Sequence, residues 1–272
     1  MIDESLKRKI IPWAERSIGV SWSALGRHPV PVVRPEWNPE IGLPVVAVRS
    51  DELAAVVAPA ELVKKIRSRV QSLHADQIFS QFGSYELSRV TLPMGISVWG
   101  PTWNLFSDKP PEMSPAGNRV DELSQTEFLK VNFTLFWHCD PGAQVGFALR
   151  DGDELAALAT ATDRGDPVWE IGMEVAPNAK GQGLGRAVVT AAVNWILANG
   201  KIALAKVGPF NVPSARTLRS VGMQYGFTIM EGKREPFMIP PQTLGSPQRD
   251  TVLYNSYPNW AMNGDILPKP GP

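Results

Sequence analysis

Glu170-Ile171-Gly172-Met173-Glu174-Val175-Ala176-Pro177-Asn178-Ala179-Lys180-Gly181-Gln182-Gly183-Leu184-Gly185-Arg186 is the stretch on which the reading of this chain turns. Val168 to Ala176 reads as a strand. Leu184 to about Ala198 reads as a helix whose positions Leu184, Val188, Ala192 and Trp195, joined by Val189, Val193 and Ile196, make one apolar side that packs on a sheet. The three glycines between them let the backbone turn sharply and approach a ligand with no Cβ in the way. The first N–H groups of a helix have no intrahelical partner, and the helix dipole favours an anion there. A diphosphate suits that position, with Lys180 and Arg186 adding positive charge. Taken alone, a glycine-bearing helix start without a ligand explains the pattern equally well. The spacing fits neither a dinucleotide fingerprint, which lacks its third glycine here, nor a phosphate loop ending in Gly-Lys-Ser/Thr.

Working outward, Gln144 to Arg150 and Glu154 to Thr162 read as strands joined by the turn Asp151-Gly152-Asp153, and Arg164-Gly165-Asp166-Pro167 turns the chain into Val168 to Ala176. An antiparallel meander therefore feeds the glycine loop. Downstream come a strand over Lys201 to Val207, the run Asn211-Val212-Pro213-Ser214-Ala215-Arg216, and Val221-Gly222-Met223.

Together these segments resemble the GNAT superfamily of N-acyltransferases. Lys180-Gly181-Gln182-Gly183-Leu184-Gly185 is similar to its coenzyme A motif, with Lys180 where Gln or Arg is usual. Asn211-x-x-Ser214 and Gly222-Met223 are similar to its second motif, especially in the branch that acetylates ribosomal-protein N-termini. The resemblance covers less than half of the chain. It implies an α+β fold with an α/β/α layering, a mixed and mostly antiparallel sheet with splayed central strands. It implies that Met173, Glu174 and Val175 pair with the pantetheine arm of acetyl-CoA or another short acyl-CoA. It also implies that Lys180, Gly181, Gln182, Gly183, Leu184, Gly185 and Arg186 hold the diphosphate, with Asn211, Ser214 and Arg216 nearby. The implied reaction is direct transfer to a primary amine. Glu170 and Glu174 are the candidate bases; they share strand parity and so face one side. Many relatives place a thiolate-protonating tyrosine where Leu218 stands; Ser214 takes that role in the Asn-x-x-Ser branch, with Tyr225 as a fallback. Asn211 also suits a helix cap. His138 and Cys139, at a predicted helix end, read as structural.

The remainder is less regular. Residues 5 to 19 predict a helix, Val45 to Arg49 a strand, Asp51 to Val57 a helix, and Pro59 to Leu73 a further helix with Leu62, Val63, Ile66 and Val70 on its buried face. Residues 76 to 82 look helical, Arg89 to Trp99 and Trp103 to Phe106 look like strands, and Ser124 to Trp137 reads as a helix opened by the capping-box pair Ser124 and Glu127. The proline-rich stretch 107 to 117 marks a boundary, giving an N-terminal α+β domain at 1–115, a catalytic domain at 116–260 and an irregular tail at 261–272. The N-terminal part resembles, more weakly, the degenerate first half of two-part GNAT proteins. Thr251 to Tyr257 is expected as the last strand, with Trp260 anchoring a final segment.

Of 272 residues, 27 are Lys or Arg and 27 Asp or Glu, a balance that gives no reason to expect nucleic acid or an anionic membrane as partner. One cysteine, no secretory signal and no apolar run of about 18 residues point to a cytoplasmic protein, as monomer or homodimer. No His/Cys cluster suggests a metal. Two alternatives stay open: an acyltransferase using carrier-protein thioesters, and a non-catalytic acyl-CoA sensor.

Overall fold

The computed structural model describes residues 2–112 and 119–235. Its centre is one ten-stranded sheet, built from β1 (Val32–Val33), β2 (Val45–Ser50), β3 (Leu53–Val57), β4 (Ser97–Ser107), β5 (Asp121–Glu122), β6 (Val145–Asp151), β7 (Glu154–Asp163), β8 (Val168–Val175), β9 (Ile202–Val207) and β10 (Gln224–Lys233). The order is β1-β3-β2-β10-β4-β9-β8-β7-β6-β5. The β1–β3 and β8–β9 pairs are parallel and the others antiparallel. This is the mixed, mostly antiparallel α+β sheet that the family resemblance implies.

Helices and a loop segment cover the two faces. On one face lies α1 (Glu4–Ile18), whose Leu6, Ile10, Trp13 and Ile18 pack with Phe106, Leu204 and Phe227. Asp3 caps α1 through Ser5 N–H, and Gly19 closes it in the left-handed conformation. On the same face Val131, Phe136 and Cys139 pack on Ala148 of β6 and Leu158 of β7. On the other face α6 (Leu184–Ala198) buries Val188, Val189, Ala192 and Val193 among Phe147, Ala157, Ile171 and Ala203. α7 (Val212–Ser220) adds Ala215 and Leu218 to that cluster. Leu62 and Ile66 of α2 (Ala60–Val70) and Leu87 of α4 (Gln81–Thr91) pack at the far end with Val45, Ala47 and Met230.

Several expectations need correction. Leu53–Val57 is a strand, not a helix: Asp51 takes a left-handed φ of 53°, turning the chain so that this segment pairs with β2 along its whole length. Burial of Ala54 to Val57 against both neighbours outweighs the helical preference of alanine and leucine. The capping box at Ser124 and Glu127 forms, yet the helix it opens, α5, spans only Gln125–Phe128. Asn132 Oδ1 then accepts from the N–H groups of Thr134 and Leu135, a turn that competes with helix continuation. Residues 76 to 82 split between α3 (Ala75–Ile78) and α4, because Ser80 caps a new helix through Gly83 N–H. α4 continues to Thr91 where a strand was expected; the strand starts at Ser97, after a short turn at Leu92 to Met94. The expected strand at 251–257, Trp260 and the tail lie outside the described residues.

β4 lies N-terminal to the expected boundary at 115/116, and it sits between β9 and β10. The boundary itself lies outside the described residues. Among the described residues, no helix is long and apolar enough to cross a membrane.

Candidate active site

The parallel pairing of β8 with β9 stops at Glu170↔Leu204. Beyond it β8 continues to Val175 and β9 to Val207 without paired register, so the strands splay. Ala176 N–H donates to Ala156 O on the β7 side. In an antiparallel ladder the two sides alternate, so the main-chain groups of Met173 and Val175 face the gap. The expected pantetheine-pairing strand therefore borders an open seam.

α6 begins at the end of that seam. Its N-cap is Gly183 at φ 77°, with no side-chain cap, and Gly181 has φ 80°. A Cβ at either glycine would meet nothing within 4 Å, so glycine is needed for its backbone conformation and leaves the surface in front open. Gly185 answers to a different demand: a Cβ there would press on Val175 at 3.3 Å and Met173 Sδ at 3.4 Å, so glycine lets α6 sit against β8. Arg186 Nε is buried with no hydrogen-bond partner among the described residues. An uncapped helix start beside an unpaired guanidinium fits an anion such as a diphosphate. Gly181, Gln182 and Lys180 are exposed on the loop, and Leu184 packs inward.

Glu170 and Glu174 do share one face of β8, but they sit in different surroundings. The backbone of His138 and Cys139 crosses the strand between them, over Gly172. A Cβ on Gly172 would run into the His138 carbonyl oxygen and come within 3.1 Å of Cys139 Cα. Asp140 N–H donates to Thr160 Oγ1 at 3.1 Å and holds the crossing down. On one side Glu174 bonds His138 Nδ1, with Lys180 Nζ at 4.0 Å. Trp137 packs against the His138 ring, the centroids 3.5 Å apart and the planes tilted by 33°. On the other side Arg164 Nε donates to Glu170 Oε2 at 2.7 Å, and Lys206 Nζ lies 3.8 Å from the same oxygen. Oε1 of Glu170 is thus free of both cations.

Glu170 opens into a cavity of about 670 Å³ above β8, β9, β4 and β10, with Trp13, Asn104, Lys206, Phe227 and Glu231 among its walls. α1 roofs it. Trp13 Nε1 donates to Arg164 O at 2.7 Å, which ties the roof to the turn carrying Arg164. The size suits a small organic ligand.

Other expected residues sit nearby or are engaged elsewhere. Asn211 caps α7, accepting from Ser214 N–H at 3.3 Å. Ser214 is half-buried, Arg216 exposed, and Leu218 a core residue 3% exposed. Tyr225 lies on β10, separated from β9 by β4, and its hydroxyl bonds Thr228 Oγ1 at 2.8 Å. Burial pushes the Tyr225 phenol up, opposed in part by the Thr228 bond. Cys139 is buried, and its thiol is pushed up to about 12, first by desolvation and then by the charge of Glu174. It is not a nucleophile at neutral pH. Among the described residues, no group of three or more His, Cys, Asp or Glu is arranged to hold a metal.

The sequence reading took His138 as structural and passed over Lys206, Asn104 and Arg164 as site residues. Two signals were available: a glycine inside a strand marks close backbone approach, and Lys206 interrupts the apolar run Ile202–Val207.

Residues 104–223 match the Acetyltransferase (GNAT) family. No curated protein matches the chain. Among solved structures, an acetyltransferase of the GNAT family from Novosphingobium aromaticivorans is 20% identical over 51% of this chain and 66% of its own, with a TM-score of 0.43. A GNAT acetyltransferase from Colwellia psychrerythraea is 14% identical over 66% and 76%, with a TM-score of 0.42. The ribosomal-protein-S18-alanine N-acetyltransferase of Escherichia coli is 16% identical over 41% of this chain and 90% of its own, with a TM-score of 0.33. This chain thus spans just under two thirds of the first of these. With a family match that runs from β4 through the splayed strands to α7, residues 104–223 belong to the acetyltransferase (GNAT) family.

Proposed function

We propose that the protein transfers a short acyl group, acetyl in the first instance, from acyl-CoA to a primary amine held in the cavity beside Glu170. The observation that carries the reading is the seam between β8 and β9, which ends on one side at the uncapped, glycine-opened start of α6 and on the other at Glu170. Membership of the family implies acyl transfer from acyl-CoA; the acceptor and the residue roles are the proposal.

Glu170 is the base. Glu170 lines the cavity, and Arg164 bonds its Oε2 with Lys206 nearby, which leaves Oε1 to take a proton. Glu174, engaged by His138 and cut off by the 138–140 crossing, orients that segment instead. Glu170 takes one proton from the acceptor ammonium, and the nitrogen lone pair attacks the thioester carbonyl. Main-chain N–H groups of β8 in the seam, Met173 foremost, bond the oxyanion. The carbon–sulfur bond then breaks, and the proton still on the nitrogen passes to the departing thiolate through the Ser214 hydroxyl, which ends neutral, while Glu170 gives its proton to solvent. The products are an amide and free coenzyme A. The loop from Lys180 to Arg186 anchors the diphosphate, with Asn211 and Arg216 flanking it.

The test is calorimetric titration with acetyl-CoA, followed by thiol release with an amine panel. Glu170→Gln is expected to lower kcat by about 100-fold or more while leaving acetyl-CoA affinity within a factor of about three. Turnover of that variant at the parent rate would remove Glu170 from the mechanism. Acyl-CoA binding with no thiol release for any amine would favour the sensor reading, and no acyl-CoA binding would favour a carrier-protein donor.

A further inference from the structure

Charged residues of both signs line the cavity; besides Glu40 and Arg164, the latter bonded to Glu170, they form a series along the sheet. Glu170 of β8, Lys206 of β9, then Glu231 and Lys233 of β10 line it in that order across the sheet. Lys206 Nζ lies 3.8 Å from Glu170 and 3.7 Å from Glu231, both longer than a hydrogen bond. The ammonium sits between two carboxylates with its donors spent on neither. Directly opposite it in the β4–β9 register is Asn104. Asn104 is 1% exposed, lines the cavity, and has an Nδ2 group without a hydrogen-bond partner among the described residues. A buried amide donor without a partner is costly, and a ligand oxygen is the kind of group that relieves it. The cavity is otherwise apolar where Ile18, Ile41, Leu43, Phe227 and the indole of Trp13 line it.

We infer that the acyl acceptor is a free α-amino acid with a large apolar side chain. Its ammonium meets Glu170, its carboxylate meets Lys206 and Asn104, and its side chain lies against Leu43, Phe227 and Trp13. An α-amino acid carries its two charges on one carbon, and Glu170 and Lys206 are a single ion-pair distance apart. A diamine would have to span from Glu170 to Glu231 with the Lys206 ammonium between, where like charge repels it. A simple apolar amine would leave Lys206 and Asn104 unmatched. The inference rests on the acyltransferase reading and names its acceptor.

The full-length protein with acetyl-CoA is assayed for thiol release against L-phenylalanine, L-phenylalanine amide, phenethylamine and putrescine. kcat/KM for L-phenylalanine is expected to exceed that for phenethylamine by about 100-fold or more, because a site built for a carboxylate is left unpaired by the analogue without one. Lys206→Met should raise KM for L-phenylalanine by about tenfold or more, a far larger rise than for phenethylamine, and Lys206→Arg should restore most of the preference. Asn104→Leu removes the unpaired amide, so its Tm should be unchanged or higher while KM for L-phenylalanine rises; this variant keeps the test decisive should Lys206→Met fold poorly. Equal or better use of phenethylamine, the amide or putrescine would overturn the acceptor class and leave the acyltransferase reading standing. Thiol release with none of the amines would overturn both. An L-phenylalanine KM unmoved in both the Lys206→Met and Asn104→Leu variants would also overturn the assignment.

Discussion

Replacing Gly172 by alanine tests the arrangement that parts the two glutamates of β8. The new methyl group would collide with the His138 carbonyl oxygen and stand 3.0 Å from Thr160 Oγ1 and 3.1 Å from Cys139 Cα. Carbon contacts are ordinary at roughly 3.5–4.0 Å, so the 138–140 crossing must lift off the strand. Two of the three neighbours are backbone and cannot swing aside as a flexible side chain would. Overpacking of this kind costs about 1–3 kcal/mol. Lifting also strains the Asp140 N–H bond to Thr160 Oγ1, worth about 1 kcal/mol. The expected total is about 2–4 kcal/mol, and at roughly 2–4 °C per kcal/mol for a chain of this size Tm should fall by about 10 °C. Thermal unfolding followed by circular dichroism reads this directly. A Tm within about 2 °C of the parent would refute the claim that the crossing rests on the bare face of Gly172.

Three further outcomes are expected. Gly183→Asp should weaken acetyl-CoA binding by about 100-fold or more in calorimetry, since it places a side chain at φ 77° and a negative charge at the helix start. Cys139, with its thiol pushed up to about 12 from 9.0, should react with iodoacetamide at pH 8 about 1,000-fold more slowly than a free thiol. Because its folded value is raised, its contribution to stability is present below pH 9 and is lost as pH rises from 9 towards 12, so alkaline denaturation should be shallower in Cys139→Ala. Trp13→Phe keeps most of the apolar contact but loses the indole bond to Arg164 O, and should cost about 1 kcal/mol in urea denaturation while raising KM for the acceptor.

The sequence is most legible where local rules suffice. Alternation and turn residues mark β6, β7 and β8 to within a residue or so, and the glycines between strand and helix mark the start of α6, because each depends on a few neighbours in the chain. Strand parity correctly puts Glu170 and Glu174 on one face. What parity does not reveal is that a loop passes between them, since Gly172 indicates close approach without saying what approaches. The cap at Ser124 is local and readable; the end of its helix is decided by Asn132, where two signals compete. Leu53–Val57 shows the opposite failure, helical by composition and a strand by its partners. The cavity was the least accessible feature. Asn104, Lys206, Glu231 and Trp13 come from four distant parts of the chain, and only the order of the sheet brings them together.

The position of β4 between β9 and β10 also sets when this protein is able to fold. During synthesis the chain releases β4, which ends at Ser107, early, but both strands that flank it emerge much later, β9 at Ile202–Val207 and β10 at Gln224–Lys233. Until then β4 has no neighbour in the sheet on either edge, and β2 still awaits β10. Pairings of such long sequence separation close slowly and leave strand edges exposed in the meantime. The seam between β8 and β9 is therefore completed among the last events of folding. A fragment cut at the edges of the family match, residues 104–223, would split β4 within its length and omit β10, leaving an open edge prone to association rather than a smaller enzyme.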